Sequence, residues 1–142
     1  MMHEKRVEIR WHDVDAYRHV NNAVFLTYLE EARDEWLEQV LGRSDELWDF
    51  VLGRVEIDYR QELTQEDDAV IVRCSLASVG NSSVRTAEEI LKLDGSVSAE
   101  AKAVLVALDR VAKKPRPLTA QERAALQTEG DAQRIPASSE QP

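Results

Sequence analysis

The order of elements legible in the sequence predicts an α+β fold, an antiparallel five-stranded sheet wrapped around one long helix. Three observations predict it. Apolar residues between Asn22 and Leu41 recur at helical spacing, stretches that alternate apolar with polar residues stand on both sides of that segment, and turn signals separate the later stretches. One helix covers one sheet face. The fold class therefore also implies a second copy over the remaining face, in a homodimer or homotetramer.

The first strand falls over residues 5–11, where Val7, Ile9 and Trp11 alternate with Arg6, Glu8 and Arg10. A loop dense in Asp, His and Asn follows over 12–21. The helix comes next: Phe25, Leu29, Ala32, Trp36 and Val40 form a stripe flanked by Leu26, Leu37 and Leu41, and acidic residues fill much of the rest. Asn21 or Asn22 can cap its start, and Gly42 can end it. The second strand, 51–60, places Val55, Ile57 and Tyr59 on one face. The third spans 69–79 and stops at Gly80-Asn81-Ser82-Ser83; the fourth spans 84–93 and stops at the hairpin signal Asp94-Gly95. In the fifth, 96–108, a row of alanines (Ala99, Ala101, Ala103) lets a helix approach closely, so this strand is expected beneath the long helix. Its second half is apolar on both faces and implies cover from a second layer. Thr119 and Glu122 form a capping box for a short helix over 119–126. Residues 129–142 are polar and aperiodic and read as a disordered tail, which leaves 1–128 as one domain.

The chain has 142 residues and a formal net charge of −9. Nucleic-acid binding rests on Lys and Arg, so this balance argues against it, although a local basic patch would suffice for a small phosphorylated ligand. The single cysteine, Cys74, cannot form an internal disulfide; it shares a strand face with Val70, Val72 and Leu76 and reads as a core residue without an activating neighbour. No apolar run follows the charged start Met1-Met2-His3-Glu4-Lys5-Arg6, so neither a secretion signal nor a membrane span is expected, and a cytoplasmic location is. His12, Asp13, Asp15 and His19 are metal-ligand types crowded together, but their spacing fits no helix or finger motif, and no metal is expected.

The run Asp13-x-Asp15-x-x-x-His19-Val20-Asn21-Asn22-Ala23, followed by Phe25-Leu26-x-Tyr28-Leu29-Glu30-x-Ala32-Arg33, resembles the signature of the 4-hydroxybenzoyl-CoA thioesterase family. The resemblance implies a hot-dog fold over 1–128 and hydrolysis of acyl-CoA thioesters to free acid and CoA, with no cofactor. It implies that Asp15 is the catalytic carboxylate, as nucleophile or as general base. Its place just before a helix start favours negative charge. The same helix start leaves backbone N–H groups unpaired, and the resemblance makes the one at Asn22 the donor to the thioester oxygen. His19 is read either as an orienting or substrate-contacting residue or as loop packing. Asn21 is a substrate ligand, a loop clamp or a helix cap, Tyr17 a wall of the acyl pocket or an exposed loop aromatic, and Asp13 a structural residue.

Many members of that family carry Gly where Arg18 stands, so a different loop conformation or a narrower pocket is expected here. Acyl-carrier-protein thioesterases carry Asn where Tyr17 stands, which argues against their mechanism; Asp58 belongs to a solvated strand face. For the phosphates of CoA, the best basic patch is Arg110, Lys113, Lys114 and Arg116, with Lys113, Lys114 and Arg116 taken as substrate-binding; the alternative is a solvated loop. Ser82 and Ser83 are candidates for the pantetheine or the carbonyl. A hot-dog domain that binds acyl-CoA without turning it over, or one that hydrates enoyl thioesters, is the competing reading.

Overall fold

The computed structural model describes residues 2–42 and 49–139. Strands β1 (His3–Glu8), β2 (Phe50–Tyr59), β3 (Ala69–Val79), β4 (Ser83–Lys92) and β5 (Val97–Asp109) form one antiparallel sheet in the order β1-β3-β4-β5-β2. A two-residue strand, β6 (Lys114–Pro115), folds back on the end of β5. Helix α1 (Asn22–Leu41) packs on the inner face, closest to β3, β1 and β4. This is the expected α+β hot-dog arrangement.

Local chemistry explains the boundaries. The Asn21 side chain accepts the Ala23 N–H at 2.9 Å and caps α1, and Gly42, at φ +77°, ends it. Asp94 and Gly95 make the β4–β5 turn: Gly95 adopts φ +90°, where a side chain would be strained, and the Asp94 carboxylate accepts the Ser96 N–H. β1 is shorter than its alternation suggests. Arg10 N–H bonds the Asp13 side chain, and a 3₁₀ turn over Trp11–Asp13 replaces the strand's end, leaving Trp11 79% exposed instead of facing the core.

The inner face carries two apolar clusters. One gathers Val7, Phe25, Tyr28, Leu29, Ala32, Val70, Val72, Ile90, Ala99 and Ala101; the other gathers Trp36, Leu37, Val84, Leu105, Ala107, Leu118 and Leu126. The alanines of β5 are buried in this core, as their row implied, though the helix axis lies nearer β3. Between the clusters, Arg33 of α1 and Glu88 of β4 form a buried bidentate pair, both bonds 2.8 Å, and Thr86 Oγ1 donates to the same carboxylate.

Two further expectations are corrected. The tail expected to be disordered from 129 continues as helix: α2 runs Ala120–Ser139, and of that tail only 140–142 lie outside the described residues. Its hold on the sheet is polar, which apolar periodicity does not register. Glu129 accepts from the buried Trp36 indole at 2.8 Å, and the Gln133 amide bonds both the N–H and the C=O of Leu76. β1 pairs with β3 only as far as Cys74, so Gln133 takes the place of a strand on the β3 edge where β1 runs out. The outer sheet face is also not the apolar surface that one helix on one face implied. Arg60 pairs with Glu100 and Asp58, and Arg73 with Glu4 and Glu89, while Ala87 and Ser75 lie between them. Three exposed apolar side chains, Val51, Leu52 and Tyr59, lie along the edge strand β2.

Candidate active site

The loop 13–21 is a closed unit. Val14 and Val20 form a bridge, Asp15 N–H donates to His19 O at 2.9 Å, and Arg18 N–H donates to Asp15 O at 2.9 Å. The bend requires Arg18 to sit at φ +67°, in the left-handed region that favours glycine. Arg18 holds this conformation at a cost in strain, with its side chain exposed. The Val20 N–H bonds Leu63 O at 2.7 Å, in the segment after β2 whose Arg60 and Gln61 N–H groups bond Ser98 O of β5.

Asp15 is half-buried at the mouth of this loop. One carboxylate oxygen accepts the Tyr17 N–H at 2.9 Å, and the other has no hydrogen-bond partner among the described residues. At the start of α1 the backbone donors are used unevenly. Asn21 N–H bonds Asp13 O, Ala23 N–H bonds the Asn21 side chain, and Val24 N–H bonds Asn21 O, whereas the Asn22 N–H has no partner among the described residues. Asp15, Tyr17, His19, Asn21 and Asn22 together line one shallow depression. All five residues expected at this end of the site are therefore brought together, with Asn21 serving as the cap and Tyr17 82% exposed at the rim.

Three residues that sequence reasoning did not place complete the surroundings. Glu62 Oε2 lies 2.9 Å from His19 Nε2 and fixes one ring nitrogen. Tyr59, at the end of β2, packs edge-on against Phe25 with ring centroids 5.0 Å apart and donates to Asn22 O at 3.0 Å, holding the first turn of α1 against the sheet edge. Tyr28 reaches up from α1 to the Asp13 carboxylate. Only Tyr28 lay within the motif, and nothing in the spacing disclosed its partner.

The second group of expected residues lies elsewhere. Ser82 and Ser83 sit at the β3–β4 turn, where Ser82 O accepts from Ala107, and Lys113, Lys114 and Arg116 sit beyond the end of β5. From Ser98 to Asp109 the strand advances roughly 35 Å, so within one chain these residues are remote from Asp15. The basic patch is also partly consumed. Arg116 forms a two-pronged pair with Glu122 at 2.8 and 3.1 Å and lies over the Phe50 ring, and Arg110 pairs with Asp49. Lys113 and Lys114 are exposed and without an ionic partner among the described residues.

Among the described residues no three His, Cys, Asp or Glu side chains converge, and the Asp13 carboxylate is buried and bonded to Arg10 and Tyr28. Burial, with the Glu88 carboxylate beside it, pushes the Cys74 thiol well above its usual range, so it stays protonated in the core.

The family model of the thioesterase-like superfamily matches residues 9–126. The chain is 30% identical over 131 residues to the long-chain acyl-CoA thioesterase FadM of Escherichia coli (strain K12), covering 87% of this chain and 96% of that one. Among solved structures, a thioesterase of Thermus thermophilus complexed with coenzyme A and Zn superposes with a TM-score of 0.78 at 32% identity, over 90% of this chain and 94% of the other. A predicted thioesterase from Bacillus stearothermophilus superposes with a TM-score of 0.82 at 25% identity, over 91% and 96%. No helix among the described residues is long and apolar enough to cross a membrane. The matched residues take in the segment around Asp15 and nearly all of the fold, and the chain belongs to the thioesterase-like superfamily.

Proposed function

We propose that this chain hydrolyses acyl-CoA thioesters to the free acid and CoA, with Asp15 as nucleophile or general base and the Asn22 N–H polarising the thioester carbonyl. One observation carries the proposal. Of the four backbone donors from Asn21 to Val24, only that of Asn22 is unspent among the described residues, and it opens into the same depression as the half-free Asp15 carboxylate. A thioester needs little more than this pair. An N–H aimed at the carbonyl oxygen stabilises the negative charge that builds there. Asp15 either adds to the carbonyl carbon, giving a mixed anhydride that water then opens, or takes the proton from the water that adds. In both routes the C–S bond breaks and CoA leaves as its thiol. His19, steadied by Glu62, is the substrate-contacting group at the rim, and Tyr17 a wall of the acyl site.

Coenzyme A as the carrier is supported by the FadM relative, named for long-chain acyl-CoA, and by the CoA complex of the Thermus protein. That substrate class is in keeping with a cytoplasmic enzyme. The assembly proposed is a homodimer joined along β2. This strand stands last in the sheet order and carries Val51, Leu52 and Tyr59 exposed. Two copies related by a two-fold axis pair such strands antiparallel. The Phe50 end of one chain then meets the Tyr59 end of the other, and Lys113, Lys114, Ser82 and Ser83 of one chain approach Asp15 of its partner, where the CoA phosphates and pantetheine would lie.

The test is thiol release from a panel of aliphatic and aromatic acyl-CoAs, together with size-exclusion chromatography. Turnover of at least one member by a dimer or tetramer is expected. Tight binding of CoA esters with no turnover of any would establish the non-catalytic alternative instead, and a stable monomer that hydrolyses them would remove the shared site.

A further inference from the structure

We propose that the bond between the Tyr28 phenol and the buried Asp13 carboxylate is the strut that sets Asp15 against the start of α1, which makes Tyr28 and Asp13 positioning residues for thioester cleavage. The proposal rests on the reading that Asp15 performs the chemistry. It assigns the two carboxylates of the motif opposite duties.

Asp13 is 2% exposed, and its carboxylate is held by three donors: Arg10 N–H at 2.9 Å, Arg10 Nη2 at 3.1 Å and Tyr28 Oη at 2.7 Å. Burial would raise its pKa, but the Arg10 and Tyr28 hydrogen bonds outweigh this and hold it below the usual carboxylate range. It stays charged and tied. Its backbone oxygen meanwhile accepts the Asn21 N–H at 3.0 Å. One residue therefore connects the 3₁₀ turn after β1, the cap of α1 and, through Tyr28, the helix interior.

Tyr28 is almost wholly buried, and burial together with the Asp13 carboxylate holds its phenol protonated, well above the usual range. It lies on the α1 face that packs with Leu29 and Ala32 in the core, so its hydroxyl is a fixed point. Asp15 follows Asp13 by two residues, and Asn22 follows Asn21 by one; the strut thus fixes both ends of the loop that separates them. The same loop holds Arg18 at a positive φ, a conformation that persists only where surrounding bonds over-determine it. Without the phenol, the loop is free to relax that strain, and Asp15 moves relative to the Asn22 N–H. A displacement near 1 Å at a reacting group costs on the order of 100-fold in rate.

The variants Tyr28→Phe and Asp13→Asn test this, with Thr86→Val as the control that loses a buried hydrogen bond remote from the loop. Steady-state thiol release gives kcat and KM, thermal unfolding gives stability, and titration with CoA gives the binding-competent fraction by its stoichiometry. For Tyr28→Phe a fall in kcat of about ten-fold or more is expected, with KM within about two-fold and full CoA stoichiometry. Asp13→Asn shows the same split, and serves as the second reading should Tyr28→Phe fold poorly. Thr86→Val loses stability but keeps kcat within about two-fold. The strut is overturned if Tyr28→Phe retains wild-type kcat, or if kcat falls only in proportion to the CoA-competent fraction. Asp15→Asn separates the two levels. If it turns over like the wild type, the reading of Asp15 fails; if it is inactive while Tyr28→Phe is fully active, the strut alone fails.

Discussion

The two halves of the core, both lying under α1, treat their polar groups in opposite ways. Around Trp36 and Leu126 the charges and amides are spent on the fold: Glu129 on the Trp36 indole, Gln133 on the Leu76 backbone, Glu122 on Arg116, and Arg123 on the carbonyls of Gly80 and Asn81. Around Phe25 and Leu29 some groups are spent as completely, Asp13 above all, but one carboxylate oxygen of Asp15 and the Asn22 N–H are left open among the described residues. The difference shows where this chain keeps binding capacity. A polar group that already has its partners can hold structure but cannot take up a reacting molecule, and the half around Phe25 and Leu29 sets both kinds side by side at the start of α1.

The sharpest way to break this contrast is to cut the pair that divides the halves. Glu88→Ala leaves the Arg33 guanidinium buried without a counter-ion, and a loss of about 3–5 kcal/mol is expected, read as a lower midpoint in urea unfolding. Arg33→Met with Glu88→Leu should recover most of it, because no charge is then stranded. Recovery would show that the pair is not a net source of stability; no loss in Glu88→Ala would mean that no charge is stranded there.

A smaller effect should be confined to the second half. Burial opposes ionisation of Glu122, but Arg116 and the Thr119 N–H outweigh it and hold its pKa below the usual value. The folded carboxyl thus titrates lower than the unfolded one. Its contribution is complete above the unfolded value of about 4.3 and is lost as pH falls through the lower folded value. Arg116→Gln should cost about 1–2 kcal/mol at pH 7 and less than that below pH of about 4, so that wild type and variant converge on acidification. Parallel curves at all pH values would show that the pair does not carry this part of the acid sensitivity.

The smallest change belongs to the loop. Arg18→Gly removes the left-handed strain, worth roughly 1–2 kcal/mol, against an entropic cost of roughly 0.5–1 kcal/mol for glycine, so a gain of up to about 1.5 kcal/mol is expected in thermal unfolding. A loss would mean that the Arg18 side chain makes a contact that outweighs its backbone.

Much of this was legible in the sequence, for reasons specific to each element. The α1 boundaries followed from Asn21, the 3.6-residue stripe and Gly42, and the strands of the sheet from alternation and the Asp94-Gly95 turn. The grouping of Asp15, Tyr17, His19, Asn21 and Asn22 followed from the motif. What escaped is polar and distant in sequence. Tyr28 and Asp13 are 15 positions apart, and Arg33 and Glu88 are 55 apart; an apolar stripe treats such residues as surface. The length of α2 escaped because its grip depends on Glu129 and Gln133, not on an apolar face. The basic patch was overstated since Asp49 and Glu122, which neutralise Arg110 and Arg116, can be recognised only once the chain is folded.

The central claim is that Asp15 is the reacting carboxylate, and one comparison tests it most directly. Wild type and Asp15→Asn would be measured side by side for thiol release from the best acyl-CoA substrate and for CoA affinity by calorimetry. A fall in kcat of about 100- to 10,000-fold is predicted, with the CoA dissociation constant changed by less than about three-fold. Undiminished turnover in Asp15→Asn would contradict the account.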